Sequence, residues 1–302
     1  MFKKIKEIKI YDPKINIKNF KYDIDKRTKL ALLGVAIGDI IGSKYEGVEF
    51  DKDPETIPLF ETGHHITDDT ILSIATIDTV NEIKENNIKK EKDIINVFTK
   101  NYRNLAKEYP RAGYGGRFIT WMYDESLGPY NSLGDGSAMR ASVIGAMFDN
   151  VKDVIKYSYY SALPTHNHPE GIKGAIVSAV ITYMAFAGCN KNTIMKYLQK
   201  FYNENRINGF TTFDNLLELD KKFKTLDITC MIAVPEAFIN FLYSNNFEDC
   251  MRNSMRYLCD RDTVAAISGP AAIAFYNNIN IDNIDAEIIK EKYIPDKLKK
   301  YF

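Results

Sequence analysis

Thr67-Asp68-Asp69-Thr70 sets two adjacent carboxylates between two hydroxyls, directly ahead of the apolar run ILSIATIDTV. One acid and one hydroxyl suffice to cap a helix, with Thr67 or Asp68 as N-cap and Asp69 as first-turn acid. Capping does not require Asp-Asp bracketed by Thr. Adjacent carboxylates project in different directions, so they can reach two ions, or one ion in two modes. Such hard oxygen donors favour Mg²⁺, Ca²⁺ or Mn²⁺ over zinc. A second acidic pair, Asp260 and Asp262 with Thr263, opens the run VAAISGPAAIAFY far along the chain. At i and i+2 these two carboxylates converge only on an irregular turn, as in a metal-binding loop. The expectation is that the two helix starts meet and hold divalent metal between them.

Other residues could join that chemistry. Asp39 lies inside an apolar stretch and needs a partner there, as a hydrogen-bonded structural acid or as a neighbour of the metal. Glu46 follows on a Gly-bounded loop, from which a carboxylate can swing toward a ligand. In PYNSLGDGSAMR, Ser132, Gly134, Gly136 and Ser137 form a turn that runs into a helix near Ala138. Such a turn presents bare N–H groups to an anion such as a diphosphate, although it is neither a P-loop nor GxGxxG. Arg140 suits either a phosphate or a core carboxylate. The four histidines form two local pairs, His64/His65 and His166/His168, and Cys189, Cys230, Cys250 and Cys259 are not placed to complete a zinc site with them. Glu61 and His64 read as ExxH, but on a Gly-containing loop rather than the helix a di-iron motif needs.

These residues need rigid elements behind them. TKLALLGVAIGDIIG predicts an apolar helix with Gly34, Gly38 and Gly42 on one face, where another backbone can approach. Lys29, Asp39 and Lys44 exclude a membrane reading of that glycine stripe. ILSIATIDTVNEIKEN and KKEKDIINVFTKNYRNLAKEY predict amphipathic helices, and GGRFITWMYDES an aromatic one whose Phe118, Trp121 and Tyr123 suit a core. GAIVSAVITYMAFAG is too short for a bilayer and predicts a buried helix. CMIAVPEAFINFLYS is helical again, after a loop through Ile207–Leu226. Strand signals are scarce, so the fold class is all-α: one domain over 27–302, behind a 1–26 extension whose Ile5, Ile8 and Ile10 suit an arm packed on the body.

Composition narrows the functions. Lys+Arg and Asp+Glu are 40 each in 302 residues, which excludes a surface built to neutralise phosphate backbones; no nucleic-acid partner is expected. A hydrophobic content of 45% indicates a globular chain. The start MFKKIKEIKIYDPK is no signal peptide, and no cysteines form CxxC, so a reduced, cytoplasmic protein without a membrane segment is expected.

The segments LLGVAIGDIIGSKYEG, TDDT, GGRFITWM, PYNSLGDGSAMR, THNHPEG and DRDTVAAISG, in that order, resemble the ADP-ribosylglycohydrolase family over roughly residues 28–300. The resemblance implies an all-α fold with a binuclear Mg²⁺ or Mn²⁺ cleft and hydrolysis of ADP-ribose from modified protein. It implies metal ligation by Thr67, Asp68, Asp69, Asp260, Asp262 and Thr263, with Glu46 near metal and substrate. It implies an ADP-ribose cradle at Gly134, Asp135, Gly136 and Ser137, and a substrate-pocket His166. Asp69, Asp262 and Glu46 are the candidates for catalysis, because a carboxylate must take a proton from water while an oxocarbenium-like centre forms. The expected partner is an ADP-ribosylated protein or an ADP-ribose-like small molecule, met by a monomer. Two departures from the family pattern, Asp135 for Asn and Arg261 between the second pair of acids, point to an alternative. That alternative is a weakened relative acting as an ADP-ribose-binding or toxin-neutralising protein.

Overall fold

The glycine face of the first helix organises the molecule. The computed structural model describes residues 8–9, 12–13, 20–47, 53–205, 228–256, 260–277 and 286–302. The α-helices among them are α1 (Ile24–Ser43), α2 (Asp68–Glu85), α3 (Glu91–Glu108), α4 (Gly116–Tyr123), α5 (Gly136–Ala141), α6 (Val151–Ala162), α7 (Pro169–Phe186), α8 (Lys191–Glu204), α9 (Cys230–Tyr243), α10 (Phe247–Ser254), α11 (Arg261–Tyr276) and α12 (Ala286–Tyr293). Short 3₁₀ turns run over Ser142–Ala146 and Asp296–Tyr301. Gly134 and Thr229 form an isolated antiparallel bridge, and no strand occurs among the described residues.

α1 packs most extensively on α11, and the two run antiparallel. Gly34 faces Gly269, Gly38 faces Ala265 and Ala266, and Gly42 faces Arg261 and Asp262. A Cβ on Gly34 would lie 2.7 Å from the Gly269 carbonyl carbon, and one on Gly42 would lie 2.7 Å from that of Arg261. Only backbone without a side chain fits at these crossings, which is why the four-residue glycine spacing matters. The antiparallel pairing brings the C-terminal end of α1 to the N-terminal start of α11, where the second acidic motif sits.

α7 supplies the other axis: every residue from Glu170 to Phe186 is buried, as expected for the longest uncharged run. α3 is amphipathic as its periodicity predicts, burying Ile94, Phe98, Tyr102 and Ala106. α2 differs from expectation. Asp69 to Ile77 are all buried, so its first turns have no solvent face; α1, α3 and α5 surround them. Exposed residues appear only toward its C-terminal end, at Asn81, Lys84 and Glu85. The predicted loop over Ile207–Leu226 lies outside the described residues, as does most of the predicted N-terminal arm. Of that arm, Ile8 is buried, and the Lys9 amide donates to Asn205 Oδ1 at 2.5 Å.

Candidate active site

Three helix ends meet at the first acidic motif. Asp39, in the last turns of α1, is fully buried and points at the start of α2. Its carboxylate accepts from the Thr67 amide at 2.8 and 2.9 Å, from Thr67 Oγ1 at 2.7 Å, from the Thr70 amide at 3.1 Å, and from Thr70 Oγ1. Thr67 occupies the N-cap position without making a cap bond of its own. Thr67 is the N-cap and Asp69 a first-turn acid, as expected, but the capping bonds go to Asp39 of another helix, which frees Asp68 and Asp69 from that task. Burial nevertheless lifts the Asp39 pKa to about 6, against the pull of these hydrogen bonds.

The freed carboxylates face α11. Asp69 is buried; its Oδ2 accepts from Thr67 Oγ1 at 3.2 Å and Thr263 Oγ1 at 3.3 Å, while Oδ1 has no hydrogen-bond partner among the described residues. Thr67 Oγ1 also lies 3.5 Å from Asp262 Oδ2. Asp39, Asp69 and Asp262 each bring a carboxylate oxygen within 4.8 Å of the others, and Glu46, Asp260 and Asp262 do the same. Asp262 is the acid common to both groups. The two acidic helix starts therefore meet, as the spacing predicted. Asp68, half-buried, lies beside the Gly113 turn, where a Cβ would stand 3.5 Å from its Oδ1; Gly113 itself adopts φ +96°, a glycine conformation.

Burial, then mutual repulsion, raises the pKa of Asp68, Asp69 and Asp262 well above the ordinary carboxylate range. Asp260 is lifted to about 8 by burial first and by Asp135 second. Acids so crowded require protons or a cation among them. A hard-oxygen donor set with a buried, unpartnered Asp69 Oδ1 fits a divalent cation. Arg261 is buried but does not turn toward this cluster with its Nη1, which donates to the Tyr45 carbonyl at 2.6 Å.

These acids form part of the wall of a cavity of about 420 Å³. Glu46, Asp68, Asp69, Asp260, Asp262 and Thr263 line it together with Gly134, Asp135, Gly136, His166, Arg117 and Arg140. The glycine turn is less bare than its composition implies. The Gly134 amide donates to Ser132 Oγ at 3.2 Å and the Asp135 amide to the Ile228 carbonyl at 3.0 Å. Gly136 and Ser137, the first residues of α5, keep amides that precede the helical ladder. The Ser137 side chain does not line the cavity: it is fully buried and donates to the Gly171 carbonyl at 2.7 Å.

His166 Nε2 faces the turn, 3.6 Å from where a Cβ on Gly136 would stand. Burial, with Arg140 and Arg117 adding to it, pushes its pKa well below the ordinary imidazole value, so the ring is neutral. His64 serves the fold instead, with Nδ1 2.8 Å from the Ile40 carbonyl at the end of α1. Arg117, Tyr130 and Phe118 are cavity residues that sequence reasoning did not select. The Arg117 guanidinium lies 4.8 Å from the Tyr130 ring centroid. Nothing in the spacing of GGRF and PYNS signals that pairing. Arg140, which the sequence left undecided, meets no carboxylate among the described residues. It lies over the Tyr102 ring at 4.2 Å and donates to the Ser161 carbonyl and to Thr165 Oγ1.

The ADP-ribosylglycohydrolase family model matches residues 21–282, and the chain belongs to that family. It is a distant homologue of the proteins named ADP-ribosylhydrolase ARH3. The Gallus gallus protein is 24% identical over 321 residues, covering 83% of this chain and 85% of that one. The Xenopus tropicalis and Homo sapiens proteins are each 28% identical over 54% of this chain, which spans about half of their length, 51% and 50%. A solved structure described as an "ADP-ribosylglycohydrolase-related protein complex" shares the fold, with a TM-score of 0.65 and 20% identity. That match covers 92% of this chain and 96% of the other. No described helix is long and apolar enough to cross a membrane.

Proposed function

We propose that this chain is a metal-dependent hydrolase that removes ADP-ribose from ADP-ribosylated protein side chains, cleaving the N- or O-glycosidic bond at the ribose anomeric carbon. The observation that carries the reading is the lining of one cavity. Carboxylates, with the buried Asp69 Oδ1 unpartnered among the described residues, share its wall with His166, Arg117 and Arg140. A ligand with an anionic diphosphate and a ribose can use both sets of groups at once. The catalytic domain is proposed to span 27–302, with 1–26 as an extension.

In this reading Thr67, Asp68, Asp69, Asp260, Asp262 and Thr263 hold two Mg²⁺ ions, with Mn²⁺ as substitute. Divalent metal there supplies charge neutralisation and Lewis acidity toward water and the ribose hydroxyls. The remaining work falls to the chain. The amides of Gly136 and Ser137, with Gly134, Asp135 and His166 around them, receive the diphosphate. Glu46 is exposed on the turn after α1, with an oxygen within 4.8 Å of Asp260 and Asp262 oxygens. In this reading it takes the proton of an attacking water as the anomeric carbon develops oxocarbenium character. Asp69 and Asp262 are more enclosed and orient that water.

Incubation with Mg²⁺ and ADP-ribosyl-arginine, ADP-ribosyl-serine or DNA-linked ADP-ribose tests the reading. Release of free ADP-ribose from a protein acceptor, stopped by a chelator, is expected. Binding without release from any acceptor would replace the hydrolase with an ADP-ribose-binding protein.

A further inference from the structure

Behind His166 runs a polar chain that no part of the proposed chemistry uses directly. Arg140 Nη2 donates to Thr165 Oγ1 at 2.7 Å, and Thr165 Oγ1 lies 2.7 Å from His166 Nδ1. Arg140 and Thr165 are both fully buried.

A hydroxyl has two lone pairs and one hydrogen, and that inventory limits how the chain can be wired. Arg140 can only donate, so it takes one lone pair of Thr165 Oγ1. Among the described residues His166 Nδ1 is the acceptor within hydrogen-bond distance of Thr165 Oγ1, so the single Thr165 hydrogen goes there. The buried guanidinium polarises the Thr165 hydroxyl and makes it a stronger donor toward that nitrogen. In a neutral imidazole, a nitrogen that accepts leaves the proton on the other nitrogen.

We propose that Arg140, acting through Thr165, is a positioning residue that fixes His166 as the neutral tautomer with its proton on Nε2. That nitrogen is then a hydrogen-bond donor aimed at the Gly134–Gly136 turn in the cavity wall. The opposite wiring, with Nδ1–H donating to Thr165, would present a lone pair to the same place and repel an anion. The tautomer follows from the protein's own network. Its use in holding a diphosphate rests on the function proposed above.

Long-range ¹H–¹⁵N correlation spectra of the full-length protein, with His166→Gln used to assign the ring, read the tautomer directly. The wild type is expected to show a protonated Nε2 and a bare Nδ1 at neutral pH. Thr165→Val deletes the hydroxyl and should release the lock, giving a tautomer mixture, whereas Thr165→Ser should restore the wild-type pattern. A proton on Nδ1 in the wild type would overturn the proposal, whether or not any variant folds. So would a wild-type pattern in Thr165→Val. Calorimetric titration with free ADP-ribose should show about tenfold weaker binding for Thr165→Val and little change for Thr165→Ser, the loss of one oriented hydrogen bond. A wild type that binds no ADP-ribose would count against the proposed function, while the spectra would still decide the tautomer.

Discussion

The two acidic helix starts carry nearly the same side chains but are held in place by opposite means. The start of α2 is tied by hydrogen bonds: Asp39 engages the amides and hydroxyls of both Thr67 and Thr70. The start of α11 has no side-chain cap and is placed by close backbone approach, with Gly42 against Arg261 and Asp262. α2 thus depends on one carboxylate from α1, whereas α11 depends on the absence of one Cβ. A shared ligand cluster needs both starts at once, so a defect in either should disable the same site by a different route.

The largest effect should come from removing one acid on each side. Asp68→Ala with Asp262→Ala should abolish divalent binding, with calorimetric affinity falling by more than about a hundredfold. The helical circular dichroism should persist, because neither residue holds the fold. Unchanged affinity would mean that the two starts do not share a metal.

Next in size, Gly42→Ala and Asp39→Asn should separate the two modes of support. Gly42→Ala overpacks the crossing of α1 and α11 and should cost about 1–3 kcal/mol of stability. It should also lower cation affinity, since the Asp262 backbone must move. Asp39→Asn replaces acceptors with an amide that opposes the Thr70 donors, at about 1–3 kcal/mol. Denaturant melts with and without Mg²⁺ measure both. If excess Mg²⁺ restores Asp39→Asn more fully than Gly42→Ala, the contrast stands; the reverse order would break it.

The last expected effect is on pH. A carboxyl whose folded pKa exceeds its unfolded one binds more protons when folded. Its destabilising contribution is absent below the unfolded value and grows as pH rises to the folded one. Asp39 sits at about 6 and Asp260 at about 8. In chelator, thermal stability should therefore fall as pH rises from about 4 to about 8. Saturating Mg²⁺ should flatten that slope, and Mg²⁺ affinity should itself rise over the same window as protons cease to compete. A chelated protein that grows more stable toward pH 8 would contradict the crowding of these acids.

Much of this site was legible in residue types. Asp-Asp between two Thr exceeds what a cap uses, and that surplus pointed to ligands before any geometry was known. Glycines at Gly34, Gly38 and Gly42 announced a backbone crossing because their spacing keeps them on one helical face. Other features had no local signal. That Asp39 caps α2 depends on a contact across 28 positions. That Ser137 turns inward depends on the Gly171 carbonyl, 34 positions away. Arg117 and Tyr130 belong to two motifs read separately, and only packing places one guanidinium over one ring.

By itself, then, the sequence determined an all-α chain with two acidic helix starts and a glycine turn, because periodicity and hydrogen-bonding capacity are local properties. Which acid caps, which acids crowd, which amides of the turn are already taken and where Arg261 points were decided only in three dimensions. Each depends on partners distant in sequence, and burial sets the charge of a carboxylate or an imidazole only once those partners have closed around it.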